Sequence, residues 1–242
     1  MLIPVRRVCA VGDVPEVVTL HLWGVPVHRV PGAVTRMATH RALVRRGPGR
    51  PGFAKLLGTG DGRTFTVRDA DPRHWGMLAT WDRAADAEAF ERGRVVRSWA
   101  RVAEERLRVT LRPLTSRGEW SRRRPFGEPA PTRYDGPVAA LTRARITARR
   151  SATFWRSVPP VSADLHRSTG LRLAVGIGEA PVGLQGTFSL WDSAGSLTDF
   201  AHRRAPHQEV VRRTAELGWY SEELFARFAV IDVEGTFGGR TP

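Results

Sequence analysis

The chain has 242 residues, 41% of them hydrophobic and 26% charged, with 24 Gly, 17 Pro and a lone cysteine, Cys9. These figures describe a soluble globular protein of one or two domains with a sizeable core. The lone thiol excludes an internal disulfide framework and any multi-cysteine zinc or iron–sulfur site. The formal charge is +14, yet Lys55 is the only lysine among 38 Lys plus Arg, and asparagine is absent. So strong an arginine bias reads as coding composition, and the densest basic runs (41–50, 117–124 and 143–150) are broken by Gly, Pro or apolar residues. An anionic small molecule or an acidic partner fits that dispersal better than nucleic acid, whose footprint clusters on one face. No stretch approaches the ~20 apolar residues of a membrane span, and the first apolar run is short for a signal peptide, so the expected address is cytoplasmic.

Taken in chain order, Val17 to Val25 alternates and is β-rich, Gly32 to Arg46 has helical spacing, and Gly52 to Thr59 is a strand. Strand Trp75 to Trp81, helix Ala84 to Arg106 and strand Leu107 to Leu114 complete a βαββαβ order. A Pro-, Gly- and Arg-rich stretch, Ser116 to Pro137, has the composition of a linker or extended arm. The order then recurs: strand Val138 to Ile146, a helix from Thr147 broken at Pro159 and Pro160, strands Leu171 to Ile177 and Leu184 to Trp191, helices between Ala194 and Arg227, and strand Phe228 to Val233. An internal repeat supports the duplication. Leu78 to Asp82 (LATWD) is followed by Ala84 and Phe90, and Phe188 to Asp192 (FSLWD) by Ala194 and Phe200, at a constant offset. Two consecutive βαββαβ units predict an α+β fold in which two fused ferredoxin-like halves form a dimeric-α/β-barrel architecture within one chain. The halves are expected at 1–115 and 138–242, joined by the arm 116–137.

The common catalytic signatures HExxH, GxSxG and GxxxxGK[ST] are absent, and the glycine-rich stretch Gly58 to Gly62 follows a strand without opening a helix. The seven histidines form no HxH or HxxxH pair, so only a single-histidine site has a local basis. In the segment from Ala205 to Gly218, Pro206 suits a first helical turn, and helical spacing places His207 with Val210, Val211 and Thr214 on one face. On spacing alone His207 is either a core histidine or an inward-facing ligand; a haem iron takes one imidazole in that way. His202 stands beside Arg203 and Arg204 and reads as solvated. Lys55 shares a strand face with Phe53 and Leu57, so it either snorkels at an edge or places a cation in a cavity.

Several stretches resemble the spheroidene monooxygenase family: HLWGVP (21–26), GFAKLLGTG (52–60), LATW (78–81), LTSRGEW (114–120), GIGEAP (176–181), TFSLWD (187–192), EGTFGG (234–239) and, above all, PHQEVVRRTAELGWYSEELFARF (206–228). The resemblance spans nearly the whole chain. It implies a haem b enzyme of carotenoid biosynthesis that inserts oxygen from O2 into an acyclic carotenoid. It makes His207 the candidate iron ligand, Trp219 and Tyr220 candidates to line the haem slot, and Lys55 a candidate distal or propionate-binding group. The implied partners are a small hydrophobic substrate and an electron donor; peripheral membrane contact and a homo-oligomer are compatible with it. Two other readings remain open: a haem enzyme performing dehydration, isomerisation or nitrogen transfer on a natural-product intermediate, and a cofactor-free barrel that binds a small molecule.

Overall fold

A computed structural model describes residues 13–46, 49–60, 69–146, 164–179, 184–203 and 220–242. Its elements are β1 (Val17–Gly24), α1 (Val30–Leu43), β2 (Phe53–Gly60), β3 (Ala70–Trp81), α2 (Ala84–Glu91), α3 (Arg94–Ala100), β4 (Glu105–Gly118), β5 (Val138–Ile146), β6 (Leu171–Gly178), β7 (Leu184–Trp191), α4 (Ala194–Arg203) and β8 (Tyr220–Gly235). The strands close into one antiparallel barrel in the order β1-β3-β2-β6-β7-β5-β8-β4. This is the expected fusion of two ferredoxin-like halves: β1 to β4 make one half-barrel and β5 to β8 the other.

Side chains alternate across each strand, so one face of every strand feeds a common interior. Val18, Leu20 and Leu22 of β1, Leu107, Val109 and Leu111 of β4, Val175 and Ile177 of β6, Phe188 and Leu190 of β7, and Leu224, Ala226 and Phe228 of β8 form that core. The opposite faces carry the helices. In the first half, Trp23, Leu56, Met77, Ala79 and Trp81 of the sheet pack with Ala33, Ala87, Val95 and Trp99 of the helices. In the second half, Val138 and Trp191 pack with Leu165 and Leu197.

The sequence repeat has a physical meaning. In each half the Trp ending the third strand stacks on a Phe of the following helix: Trp81 on Phe90 with ring centroids 4.9 Å apart, and Trp191 on Phe200 at 5.4 Å. Each indole N–H is also satisfied locally, by Thr19 Oγ1 and by Ser189 Oγ, both at 2.9 Å. The repeat is the anchor that clamps a helix onto each half-sheet.

The two seams between the halves differ. β4 and β8 pair from Leu107 opposite Gly235 to Gly118 opposite Leu224, whereas β2 and β6 pair only from Gly58 opposite Gly178 to Gly60 opposite Gly176. The long seam is bounded at both ends by glycine: Gly118 (φ 90°) and Gly235 (φ 94°) bring their backbones so close to the partner strand that a Cβ would lie 2.2 Å from Glu223 O and 2.0 Å from Arg106 O. Beside the short seam the arm comes in, and it is not a solvated linker: Trp120 and Phe126 are 1% and 0% exposed and belong to the interior core.

Three sequence-based boundaries change. The expected helix 84–106 is two helices, because Gly93 takes an extended conformation (φ −79°, ψ 171°) and a Cβ there would meet Phe90 O at 2.8 Å. Strand β4 runs on into the arm as far as Gly118, and β8 begins at Tyr220 instead of Phe228. The stretch Tyr220 to Arg227 is rich in good helix formers, but its residues pair on both sides, with β4 and with β5, and that tertiary pairing overrides local propensity. The expected helix from Thr147 lies outside the described residues.

The C-terminal tail is fastened to the first half by charge. Glu105 accepts hydrogen bonds from the Gly238 and Gly239 amides at 2.9 and 2.7 Å, and His74 reaches Glu105 at 3.3 Å, Asp71 at 2.5 Å and the Phe237 ring at 4.8 Å. The hydrogen bond to Asp71, with both carboxylates adding attraction against a burial cost, raises the His74 pKa above 6.5. Burial works against ionisation of Asp71 and Glu105, but hydrogen bonds from His74 and from backbone amides hold both below the usual carboxylate range. A raised histidine stabilises below its unfolded pKa and loses that contribution as pH rises through its folded value; lowered carboxylates lose theirs as pH falls. The latch is therefore strongest between the carboxylate range and pH 6.5. His74→Ala is expected to cost ~1 kcal/mol at pH 6 and progressively less toward pH 9, read from urea melts across that range; a pH-independent difference would show that His74 acts by packing alone.

Candidate functional site

Two places in the barrel depart from the pattern of apolar filling. The first is a charged cluster inside the barrel, beside the short seam. Lys55 lies on the interior face of β2 with Phe53 and Leu57, and its Nζ donates to Ser121 Oγ at 2.6 Å and pairs with Glu179 Oε2. Of the two alternatives left by its alternation, the structure realises the buried one: the Lys55 side chain is 13% exposed. Glu179, directly after β6, also accepts from the Trp120 indole N–H and faces Arg143 Nη2 at 3.7 Å. Arg143, on the interior face of β5 and 2% exposed, pairs through Nη1 with Glu222 of β8. Glu222 in turn accepts the Ser121 and Arg122 amides at 3.1 and 2.8 Å, which holds these two residues at φ 55° and 57°. Burial opposes ionisation of Glu222, but those amides and Arg143 hold its carboxyl below the usual range. The Trp120 ring lies under both cations, 5.9 Å from Lys55 Nζ and 5.5 Å from Arg143.

The cluster joins four elements and the arm exactly where β2 and β6 cease to pair, with two cations facing two anions. Its chemistry is that of a latch: it gives every buried charge an opposite partner across the junction of the halves. Of these residues only Lys55 stands out in the sequence. Glu179 is 124 positions away from it, and no local spacing announces the pairing.

The second place is the outer face of the second half-sheet. Strand register aligns the two halves residue by residue. Met77 pairs with His21 and Leu56, and at the equivalent point Thr187 pairs with Thr142 and Gly176. One row along, Ala79 pairs with Thr19 and Ala54, and Ser189 pairs with Ala140 and Ala174. Further still, Trp23 of β1 is matched by Ala144 of β5. In the first half these positions are large and buried: His21, Leu56, Met77 and Trp23 are 3%, 6%, 0% and 1% exposed. Trp23 stacks between His21 and Trp99, with centroids 5.3 and 5.1 Å away, so the space between sheet and helices is filled. Burial there, with Arg108 and Arg106 nearby, lowers the His21 pKa to about 3, so this imidazole is neutral, with Nε2 3.2 Å from Glu91 Oε1.

In the second half each large side chain is replaced by a Thr, an Ala or a Gly. Relative to the first half, the side chains of Ala140, Thr142, Ala174, Gly176, Thr187 and Ser189 stand lower on the sheet, and it is in this sense that they form a recess. Trp191, Leu197 and Phe200 wall it on the side of α4, and Arg227 and Phe225 of β8 continue its floor, in register with Ala140 and Thr142. The floor's six central residues all have small side chains, three of them hydroxyl-bearing, with Phe225 and Arg227 beside them, a composition that suits the face of a broad ligand. None of its residues is legible as functional from motif or spacing. The one signal is comparative: Met77 and Thr187 stand at the constant offset of the repeat.

The expected ligand His207 and the expected slot residue Trp219 lie outside the described residues. Tyr220 is the first residue of β8, opposite Ile146, and only its backbone is described. Helix α4, on the outer face of β5 and β7, ends at Arg203, four residues before His207 in the chain. Lys55 points to the other side of the sheet, into the barrel. Among the described residues no group of three or more His, Cys, Asp or Glu is placed to hold a metal ion, and no helix is long and apolar enough to cross a membrane.

No family model matches the chain. Solved structures of aldoxime dehydratases share the fold: one, in complex with butyraldoxime, has a TM-score of 0.61 at 12% identity over 93% of this chain and 84% of its own. A second has a TM-score of 0.59 at 13% identity over 90% and 82%. Curated relatives are much nearer in sequence. The spheroidene monooxygenase of Rhodobacter capsulatus is 36% identical over 219 residues, covering 88% of this chain and 89% of its own. That of Rubrivivax gelatinosus is 41% identical over 196 residues, covering 79% and 74%. Sequence likeness of this extent, on the barrel that the repeat announces, makes the chain a monooxygenase, an oxidoreductase: it belongs to the spheroidene monooxygenase family.

Proposed function

We propose that the protein is a haem-dependent monooxygenase that oxidises an apolar, carotenoid-like polyene, in which the recess of the second half would hold haem b and His207 would bind its iron. The observation that carries this reading is a one-sided difference in side-chain size on the outer face: the first half carries His21, Trp23, Leu56 and Met77, while the same positions in the second half carry Thr142, Ala144, Gly176 and Thr187. Large side chains would serve packing equally well in either half, so their restriction to the first supports a ligand against the second. When bound, haem would supply activation of O2 for insertion into an unactivated carbon–hydrogen bond. The chain's part is to hold and shield it. Ala140 and Ala174 let a planar group approach the sheet backbone, Trp191, Leu197 and Phe200 keep water from that edge, and Arg227 offers a guanidinium to an anionic substituent. Tyr220, the first residue of β8, and Trp219, which precedes it in the sequence, are assigned to the rim. Lys55 is assigned an indirect part, fixing Glu179 at the end of β6. The name of the curated relatives supports spheroidene or a similar acyclic carotenoid as substrate; an external electron donor and a cytoplasmic address complete the proposal.

Absorption spectra of protein expressed with a haem precursor, oxidised and dithionite-reduced, test the reading. Wild type and His202→Ala are expected to show a Soret band, His207→Ala to lose or shift it, and the wild type to add one oxygen atom to an acyclic carotenoid by mass spectrometry. Absence of a Soret band under haem-sufficient expression would overturn the cofactor; loss in His202→Ala but not in His207→Ala would move the ligand.

A further inference from the structure

The outward surface of the first half's helical layer combines two properties that the proposed chemistry does not use. Among the described residues, two of the five most exposed large apolar side chains, Val27 and Val34 at 70% and 52%, lie on α1 and the turn leading into it; Leu43, at 37%, is nine positions beyond Val34 and faces about half a turn away. Pro31, Ala38 and Ala42, also exposed, complete a stripe with Val34 at helical spacing. The inward face of the same helix, with Ala33, Met37 and His40, is already packed on the sheet, so α1 is apolar on two sides.

The charge around this stripe has one sign. From Val17 to Gly60 the sequence contains no Asp or Glu, while Arg29, Arg41, Arg45, Arg46 and Arg50 are exposed. Helix α3 is tied to α1 by a hydrogen bond from Arg36 Nε to Ser98 Oγ at 3.3 Å, and it exposes Arg94, Arg97 and Arg101 at spacings that align them on one face. Acids of the neighbouring α2 are neutralised elsewhere: Asp86 by Arg83, Glu88 by Arg108, and Glu91 by Arg108. The arginines of α1 and α3 thus leave an uncompensated positive field around an apolar ridge.

We infer that this face, formed by α1, the turn before it and α3, docks the enzyme onto an anionic lipid bilayer, with Val27, Val34 and the exposed Pro31 and Ala38 beside them entering the headgroup boundary and the arginines meeting lipid phosphates. The combination selects the partner. A nucleic acid would use the cations but gains nothing from an exposed valine ridge, whereas an interfacial helix requires both. Each basic residue near a negative surface is worth roughly fivefold in partition, so the α3 arginines alone supply on the order of a hundredfold. This inference is independent of the haem reading, since it concerns the outward surface of the first half's helices.

Co-sedimentation of the full-length protein with phosphatidylcholine vesicles, with and without phosphatidylglycerol, tests it. Wild type is expected to bind only the anionic vesicles. Arg94→Glu/Arg97→Glu/Arg101→Glu should weaken binding by about a hundredfold, and Val27→Asp/Val34→Asp by at least about tenfold, with melting temperatures unchanged since all five side chains are exposed. Equal binding to both vesicle types, or wild-type binding by either variant, would overturn the inference. So would duplex DNA bound in preference to anionic vesicles with the valine variant unaffected, which would assign the face to nucleic acid.

Discussion

Replacing Gly176 by Leu and Thr187 by Met, which gives the second half the side chains that the first half carries as Leu56 and Met77, is expected to abolish haem incorporation while leaving the barrel folded. The argument rests on register. Each new side chain has a working precedent at the equivalent pair of β2 and β3, where Leu56 and Met77 are buried without strain. The new groups project from the outer face, so the interior core of Val175, Ile177, Phe188 and Leu190 is not asked to move. A planar ligand lying against the floor would meet both side chains at once. Overpacking of a fitted site by two side chains costs about 1–3 kcal/mol each, so haem affinity should fall on the order of a hundredfold or more. The Soret absorbance per protein, set beside far-ultraviolet circular dichroism and the melting temperature, reads the result. A variant that takes up haem as wild type does would show that the recess is occupied by the chain's own residues and that haem, if bound, sits elsewhere.

The largest stability effect is expected at the latch. Glu179→Leu removes the acceptor shared by Lys55, Trp120 and Arg143 and leaves two cations in the barrel facing Glu222 alone. Breaking such a pair by removing one partner costs about 3–5 kcal/mol, because the remaining charge has been taken out of water without compensation. For a chain of this size that lowers the melting temperature by on the order of 10 °C. Lys55→Met is milder, since Glu179 keeps Arg143 and the Trp120 indole. The double variant should recover much of the loss, with a coupling energy above about 1 kcal/mol between the two sites in urea melts. Additive effects would mean that Lys55 and Glu179 do not stabilise each other, and that the latch works through Arg143 and Glu222 only. Because the latch spans the short seam, its loss should also appear as faster amide exchange in β2 and β6 than in β4 and β8.

Much of the architecture was legible because it was written twice. The order βαββαβ and the Trp-Asp repeat predict two like halves, and the repeat has a direct physical counterpart in Trp81 on Phe90 and Trp191 on Phe200. Alternation put Lys55 on one face with Phe53 and Leu57 and left edge or cavity open; the barrel decides for the interior. Where reading failed, the cause was long-range pairing. Tyr220 to Arg227 has helix-forming composition and becomes a strand because β4 and β5 flank it, and the Pro-rich arm sends Trp120 and Phe126 into the barrel because the short seam leaves room beside it. The resemblance drew attention to His207 and Trp219, which lie outside the described residues, whereas the recess became visible only when strand register aligned the halves.

By itself the sequence determined what is local or repeated: the strands, the helices over them, the doubling, and the family. Tertiary structure alone decided which charges meet and which space stays open. Lys55 and Glu179 are 124 residues apart, and their meeting depends on how two half-sheets close. The contrast of Leu56 with Gly176, or of His21 with Thr142, has no meaning until hydrogen-bond register sets each pair at the same point of a duplicated sheet. Periodicity tells which face a side chain takes, because that follows from backbone geometry within a few residues. Whether that face is filled or left open depends on side chains supplied by other strands and helices, and only the closed barrel brings those together.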